Sequence, residues 1–145
     1  MSLQVQKHPR ITTYNPKGLP NGYLIPIFNI NDHFWGSSFE PQQVNLTVMS
    51  PGCIKGPHIH DFRSNNFTCI KGVIRVVVKI NNEYFEYLSG EIYEYLSIEV
   101  PSGIPAVIQN IGKEDAFVLT MPNPAWKPDM NDEHFADFSD FDFNL

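Results

Sequence analysis

Several things are scarce in this chain of 145 residues. It holds two cysteines, Cys53 and Cys69, too few for a disulfide framework and too far apart for a zinc knuckle. Both are expected as buried free thiols. No apolar stretch approaches the roughly 18 residues of a membrane span, and no charged segment followed by an apolar run marks a secretory leader. A cytoplasmic protein without a membrane partner is therefore expected. A basic surplus is missing too: Lys and Arg number 10 against 16 Asp and Glu, for a formal net charge of −6. Beyond residue 128 stand Asp129, Asp132, Glu133, Asp137, Asp140 and Asp142 with no Lys or Arg, so the tail carries the charge and the body is neutral. Such a balance leaves no electrostatic footprint for nucleic acid, while a local basic cluster could still hold one phosphorylated ligand. Helix signals are equally rare, since no useful window carries an i, i+3, i+4, i+7 apolar pattern free of Pro, Gly or β-branched runs.

What is present is a series of short apolar runs separated by Gly, Pro and Asn. Strands are expected at 23–30, 43–50, 66–70, 73–80, 83–88, 92–100, 105–110 and 116–121. Asn81-Asn82 suits the hairpin turn between two of them, because Asn tolerates positive φ. The pattern describes an all-β sandwich or barrel in a single domain, residues 1–145, with an arm at 1–22, a barrel at about 23–122 and a tail at 123–145. The Pro- and Gly-rich arm is expected to pair at a sheet edge or to cross to a partner chain. In the tail, Phe135, Phe138, Phe141 and Phe143 alternate with acids. Four large rings are not left in water by a disordered segment, so the tail should pack across the barrel or onto a dimer partner.

Chemistry concentrates in "KGPHIHDFRSNNFTCIKG", residues 55–72. His58 and His60 stand at i and i+2, which on a strand puts both imidazoles on one face. The spacing Gly52, His58, His60, Asn65, Gly72 resembles the first motif of the cupins, with Asn65 at the usual glutamate. "VPSGIP" supplies Pro101 and Gly103 of the second motif, followed by Ala106 at its histidine and by Asn110. Within that superfamily, Lys55-Gly56-Pro57-His58-Ile59-His60 and the apolar run ending in Lys71-Gly72 resemble the nucleotide-sugar 3,4-ketoisomerases, relatives of the deoxysugar 3,5-epimerases. Lys55 stands where those proteins carry arginine, and Ala106 and Leu119 stand where the epimerases carry a second histidine and a tyrosine.

The resemblance implies a cupin (RmlC-like) jelly-roll β-barrel that works without a cofactor or metal, usually as a homodimer, on a nucleotide-linked 4-keto-6-deoxy sugar. Beside a ketone, an imidazole can take a proton from the adjacent carbon and a second imidazole can return one, so His58 and His60 are the candidate acid and base. Which is which stays open. Asn65 and Asn66 are candidate donors to the oxyanion. Lys55, Arg63 and Arg75 are candidates for the diphosphate, although on "VIRVVVKI" Arg75 and Lys79 also fit a solvated strand face. Two other readings stand beside this one: a binding cupin without turnover, and a metal-dependent cupin in which His58 and His60 hold the ion. His8, His33 and His134 are expected at the surface, and Tyr84, Tyr87, Tyr93 and Tyr95 in or on the sheet. Trp126 is expected as a packing anchor.

Overall fold

The computed structural model describes residues 3–32 and 40–144, which places His33 outside the described residues. Every regular element among them is a strand: β1 (Gln4–His8), β2 (Ile11–Tyr14), β3 (Pro20–Leu24), β4 (Asn45–Met49), β5 (Ile54–His60), β6 (Asn65–Lys71), β7 (Val73–Ile80), β8 (Glu83–Gly90), β9 (Tyr95–Val100), β10 (Ala106–Asn110), β11 (Ala116–Thr120) and β12 (Glu133–Phe135). Two five-stranded antiparallel sheets form, in the orders β1-β9-β6-β11-β4 and β12-β5-β10-β7-β8, while β2 and β3 make a separate hairpin. Asn81 and Asn82 both take positive φ, 52° and 62°, and close the β7–β8 hairpin as a two-residue turn.

The two sheets share one core. Met49, Cys69, Ile98 and Val118 from the first meet Ile74, Val76, Val78 and Ile108 from the second, all buried. Their alternation with outward residues is what makes each run a strand with one wet and one dry face. Several strands change character along their length. Inward positions read Asn45, Thr47, Met49 on β4 and Asn65, Phe67, Cys69 on β6, so one end of the barrel is packed with apolar side chains and the other is lined with polar ones. The result is a jelly roll with one filled end and one open end.

The outer face of the second sheet is covered by the chain's own tail. Phe138 is buried against Val77 and Val107, with Tyr84, Ala136, Phe141 and Phe143 around it. Tyr84 and Asp140 are joined by a hydrogen bond. Of the two destinations open to the tail phenylalanines, the barrel is the one observed for three of them; Phe135 remains 85% exposed.

Some expectations change. The run 23–30 is not one strand: pairing stops at Leu24, and 25–30 crosses irregularly. Strand β5 is absent from the predicted set because Gly56-Pro57 reads as a breaker. Cys69 is buried and free, whereas Cys53 is only half-buried. His8 is not at the surface but 3% exposed, with its Nε2 2.5 Å from Ser97 Oγ. Burial lowers its affinity for a proton, against the opposing effects of Asp32 and the Pro26 backbone.

Candidate active site

The open end encloses a cavity of about 260 Å³. Lys55, His58, His60, Arg63 and Asn65 all line it. Simple alternation along β5 would put Lys55 and His58 on opposite faces. A bulge prevents this: Ala106 pairs with His58 and Ile108 with Lys55, so three steps on β5 span two on β10 and the parity resets. Gly56 makes the bulge feasible. Its φ is +98°, and a Cβ there would lie 3.0 Å from both the Ala106 carbonyl and the His58 nitrogen, so a larger residue would have to displace backbone.

The two histidines have different partners. His60 Nδ1 lies 2.9 Å from Asp132 Oδ2, and Asp132 is itself 3% exposed. Burial opposes ionisation of Asp132, but hydrogen bonds from the Phe62 N–H, from His60 and from the Arg63 N–H outweigh it, so its carboxyl is held below the ordinary range. An ionised carboxylate only accepts, so His60 Nδ1 must donate and, in the neutral ring, Nε2 keeps the lone pair. His58 Nδ1 lies 3.0 Å from Glu133 Oε1, and the same oxygen is 3.7 Å from His60 Nε2. Glu133 opens β12 and Asp132 immediately precedes it; β12 pairs with the edge of β5 so that Glu133 sits across from His60 and Phe135 from His58.

Asp132 and Glu133 are the residues that sequence reasoning missed. They read as two of many tail acids, and no local pattern announces a pairing with histidines more than seventy residues earlier. The candidate set also narrows. Asn66 is one residue from Asn65 and therefore on the opposite face of β6; it is buried there, with Nδ2 unpartnered. Arg75 lies on the outer face of β7 beneath the tail, bound to Glu86 at 3.0 Å, Gln109 at 2.5 Å and the Phe143 carbonyl at 3.3 Å. Neither reaches the cavity, so the expected oxyanion donor at Asn66 and diphosphate ligand at Arg75 are corrected. Asn65 does line the cavity, and its carbonyl oxygen accepts from the Asn66 N–H at 2.9 Å, leaving the NH₂ end as donor.

Residues 42–127 match the model of the cupin family, and the chain belongs to that family. No curated protein matches the sequence. Among solved structures, the fold resembles a dTDP-sugar isomerase from Desulfovibrio desulfuricans at a TM-score of 0.78 and 13% identity, over 93% of this chain and 83% of that one. It also resembles a histidine-to-asparagine variant of the 3,4-ketoisomerase QdtA from Thermoanaerobacterium thermosaccharolyticum, solved with TDP-4-keto-6-deoxyglucose, at a TM-score of 0.69 and 14% identity, over 92% and 86% of the two chains. At such identities the likeness is one of fold. CapF, a capsular polysaccharide assembling protein of Staphylococcus aureus, is 25% identical over 66% of this chain, at a TM-score of 0.60. This chain spans about a quarter of CapF's length, 26%.

Many cupins hold a metal on histidines and a glutamate. Among the described residues no three His, Cys, Asp or Glu side chains converge as a metal site. Asn65 and Ala106 offer an amide and a methyl at the remaining motif positions, so the donor set does not fit a resident ion.

Proposed function

We propose that the chain is an isomerase of a nucleotide-linked 4-keto-6-deoxy sugar, of the 3,4-ketoisomerase type, acting in the cytoplasm as a homodimer. One observation carries this reading: two histidines share a cavity, and their carboxylate partners make them chemically unequal. His60, fixed through Nδ1 by buried Asp132, presents a basic Nε2 and takes the proton at C3, next to the ketone. The electrons move toward the C4 oxygen as an enediolate. His58, whose Nδ1 faces Glu133 Oε1 at 3.0 Å, delivers a proton to C4 as the C3 hydroxyl proton passes to the C4 oxygen and the ketone re-forms at C3, so one C–H and one O–H proton each move by one carbon. The Asn65 amide and the Lys55 ammonium steady the enediolate charge.

A volume of about 260 Å³ suits one sugar ring, a little below the range of drug-sized sites. The nucleotide then lies outward, with its diphosphate near Lys55 and Arg63. The test is incubation with TDP-4-keto-6-deoxyglucose, following the carbonyl carbon by NMR. Movement of the ketone from C4 to C3 is expected. Inversion at C3 or C5 with the ketone still at C4 would assign epimerisation instead, and an unchanged substrate would leave a binding protein.

A further inference from the structure

The second sheet carries the candidate site on its inner side and the tail on its outer side, and one stretch of chain joins the two. From Asn123 to Asp137 the only buried residue is Asp132. Strand β12 is exposed at all three of its positions. Trp126, expected as a packing anchor, is 56% exposed. What fastens the stretch locally is polar: the Asp61 N–H donates to the Asp132 carbonyl at 3.0 Å and the Ala136 N–H to the Pro57 carbonyl at 3.1 Å, while His134 meets Asp61 in an exposed pair at 2.7 Å. A three-residue edge pairing and a surface ion pair contribute little by themselves. Asp132 and Glu133 nevertheless stand 2.9 and 3.0 Å from histidine nitrogens, so the stretch that brings them needs an anchor outside itself.

The next buried residue along the chain is Phe138, 4% exposed and packed on Val77 and Val107. Val107 lies between Ala106 and Ile108, which both line the cavity, so the ring rests on the back of a strand whose front faces the site. Polar ties surround it. The Tyr84 hydroxyl donates to Asp140, Lys79 Nζ donates to the Asp137 carbonyl at 3.3 Å, and the Phe143 carbonyl accepts from Gln109 Nε2 at 2.9 Å and from Arg75 Nη2 at 3.3 Å. These partners belong to β10, β7 and β8, the three strands beyond β5 in the same sheet.

We propose that this outer-face anchor, Phe138 above all, holds Asp132 and Glu133 against the two histidines on the other side of the sheet. Phe138 is thus a positioning residue, and Arg75, Gln109 and Tyr84 act on the site through the tail. Phe138 stands six positions after Asp132, with the weakly held β12 between them, so loss of its packing lets the acids withdraw. His60 Nδ1 then lacks its acceptor, both neutral tautomers open, and Nε2 no longer keeps a fixed lone pair. The effect on turnover rests on the isomerase reading; the effect on the His60 ring does not.

The test therefore reads the ring directly. Above the ordinary histidine range, at about pH 8, long-range proton–nitrogen correlation spectra of the native chain should show His60 protonated at Nδ1, its signals assigned by their absence in His60→Asn. Phe138→Ala should give mixed tautomers and lower kcat on TDP-4-keto-6-deoxyglucose roughly 10-fold with KM little changed, and Phe138→Leu should recover part of both. His8→Ala, which weakens the other sheet, should leave tautomer and kcat native, separating positioning from a general loss of stability. A native tautomer and kcat in folded Phe138→Ala would overturn the anchor, as would mixed tautomers in His8→Ala. Where circular dichroism shows Phe138→Ala unfolded, the Tyr84→Phe/Gln109→Ala double variant decides: mixed tautomers support the anchor and a native tautomer overturns it. An inactive native chain in which Phe138→Ala still frees the His60 ring would overturn the isomerase reading and leave the anchor standing.

Discussion

Two polar clusters lie on opposite sides of the first sheet, and β6 contributes to both. On the inner side Asn65 joins His58, His60, Lys55 and Arg63 around the cavity, and each of the two histidines faces a carboxylate. On the outer side His8, Ser97, Thr68 and Asn66 form a chain, with Thr68 Oγ1 2.6 Å from Ser97 Oγ. Glu99 lies in the same layer, 3% exposed, with neither carboxylate oxygen hydrogen-bonded. Burial pushes its carboxyl up to about 7. Both clusters are polar, and what separates them is burial, access and pairing. The inner cluster opens on a space where a ligand fits, and each of its histidines has a carboxylate partner. The outer one is sealed, and its one acid is driven toward neutrality because nothing stabilises its charge.

The contrast breaks most sharply if the inner histidines are replaced. His60→Asn should lower turnover of TDP-4-keto-6-deoxyglucose by roughly 10²–10⁴-fold, the range for losing general acid–base help, measured as steady-state kcat. Asp132→Asn should cost less, on the order of 10²-fold in kcat with KM little changed, because His60 remains but its tautomer is no longer held.

Replacements in the outer cluster should alter stability and spare chemistry. Glu99 binds its proton more tightly folded than unfolded, so its contribution is complete below about pH 4.5 and is lost as pH rises through about 7. Glu99→Gln should therefore raise stability at pH 8 by about 2 kcal/mol and flatten the decline between pH 5 and 8, read by urea unfolding across that range. The smallest effect is expected from His8→Ala, a loss of about 1–2 kcal/mol from the missing Ser97 hydrogen bond and packing, with kcat unchanged.

Much of this molecule is legible in the sequence because a jelly roll is written in local alternation and turn residues. Ile74, Val76, Val78 and Ile80 are core residues as the period-two pattern of "VIRVVVKI" requires, and Asn81-Asn82 turns where it should. Legibility fails where one residue shifts a register or a distant segment docks. Parity alone sends Lys55 away from His58, and only the bulge at Gly56 returns it. His8 looks like any surface histidine until residues 26–32 close over it, and Arg75 looks like a free cation until Phe143 and Gln109 meet it. The partners of His58 and His60 come from the far end of the chain, a pairing set by tertiary docking of β12 and by no local signal.

The proposed isomerisation depends on the partnered, cavity-facing histidines handling the substrate's proton. Its most direct measurement is deuterium wash-in at C3 of TDP-4-keto-6-deoxyglucose in heavy water, comparing the native chain with the His58→Asn/His60→Asn double variant at matched TDP occupancy. Deuterium is expected at C3 with the native chain and none above background with the variant, while calorimetry shows TDP affinity retained in both. Equal wash-in by both, or none with a native chain that binds TDP, would contradict it.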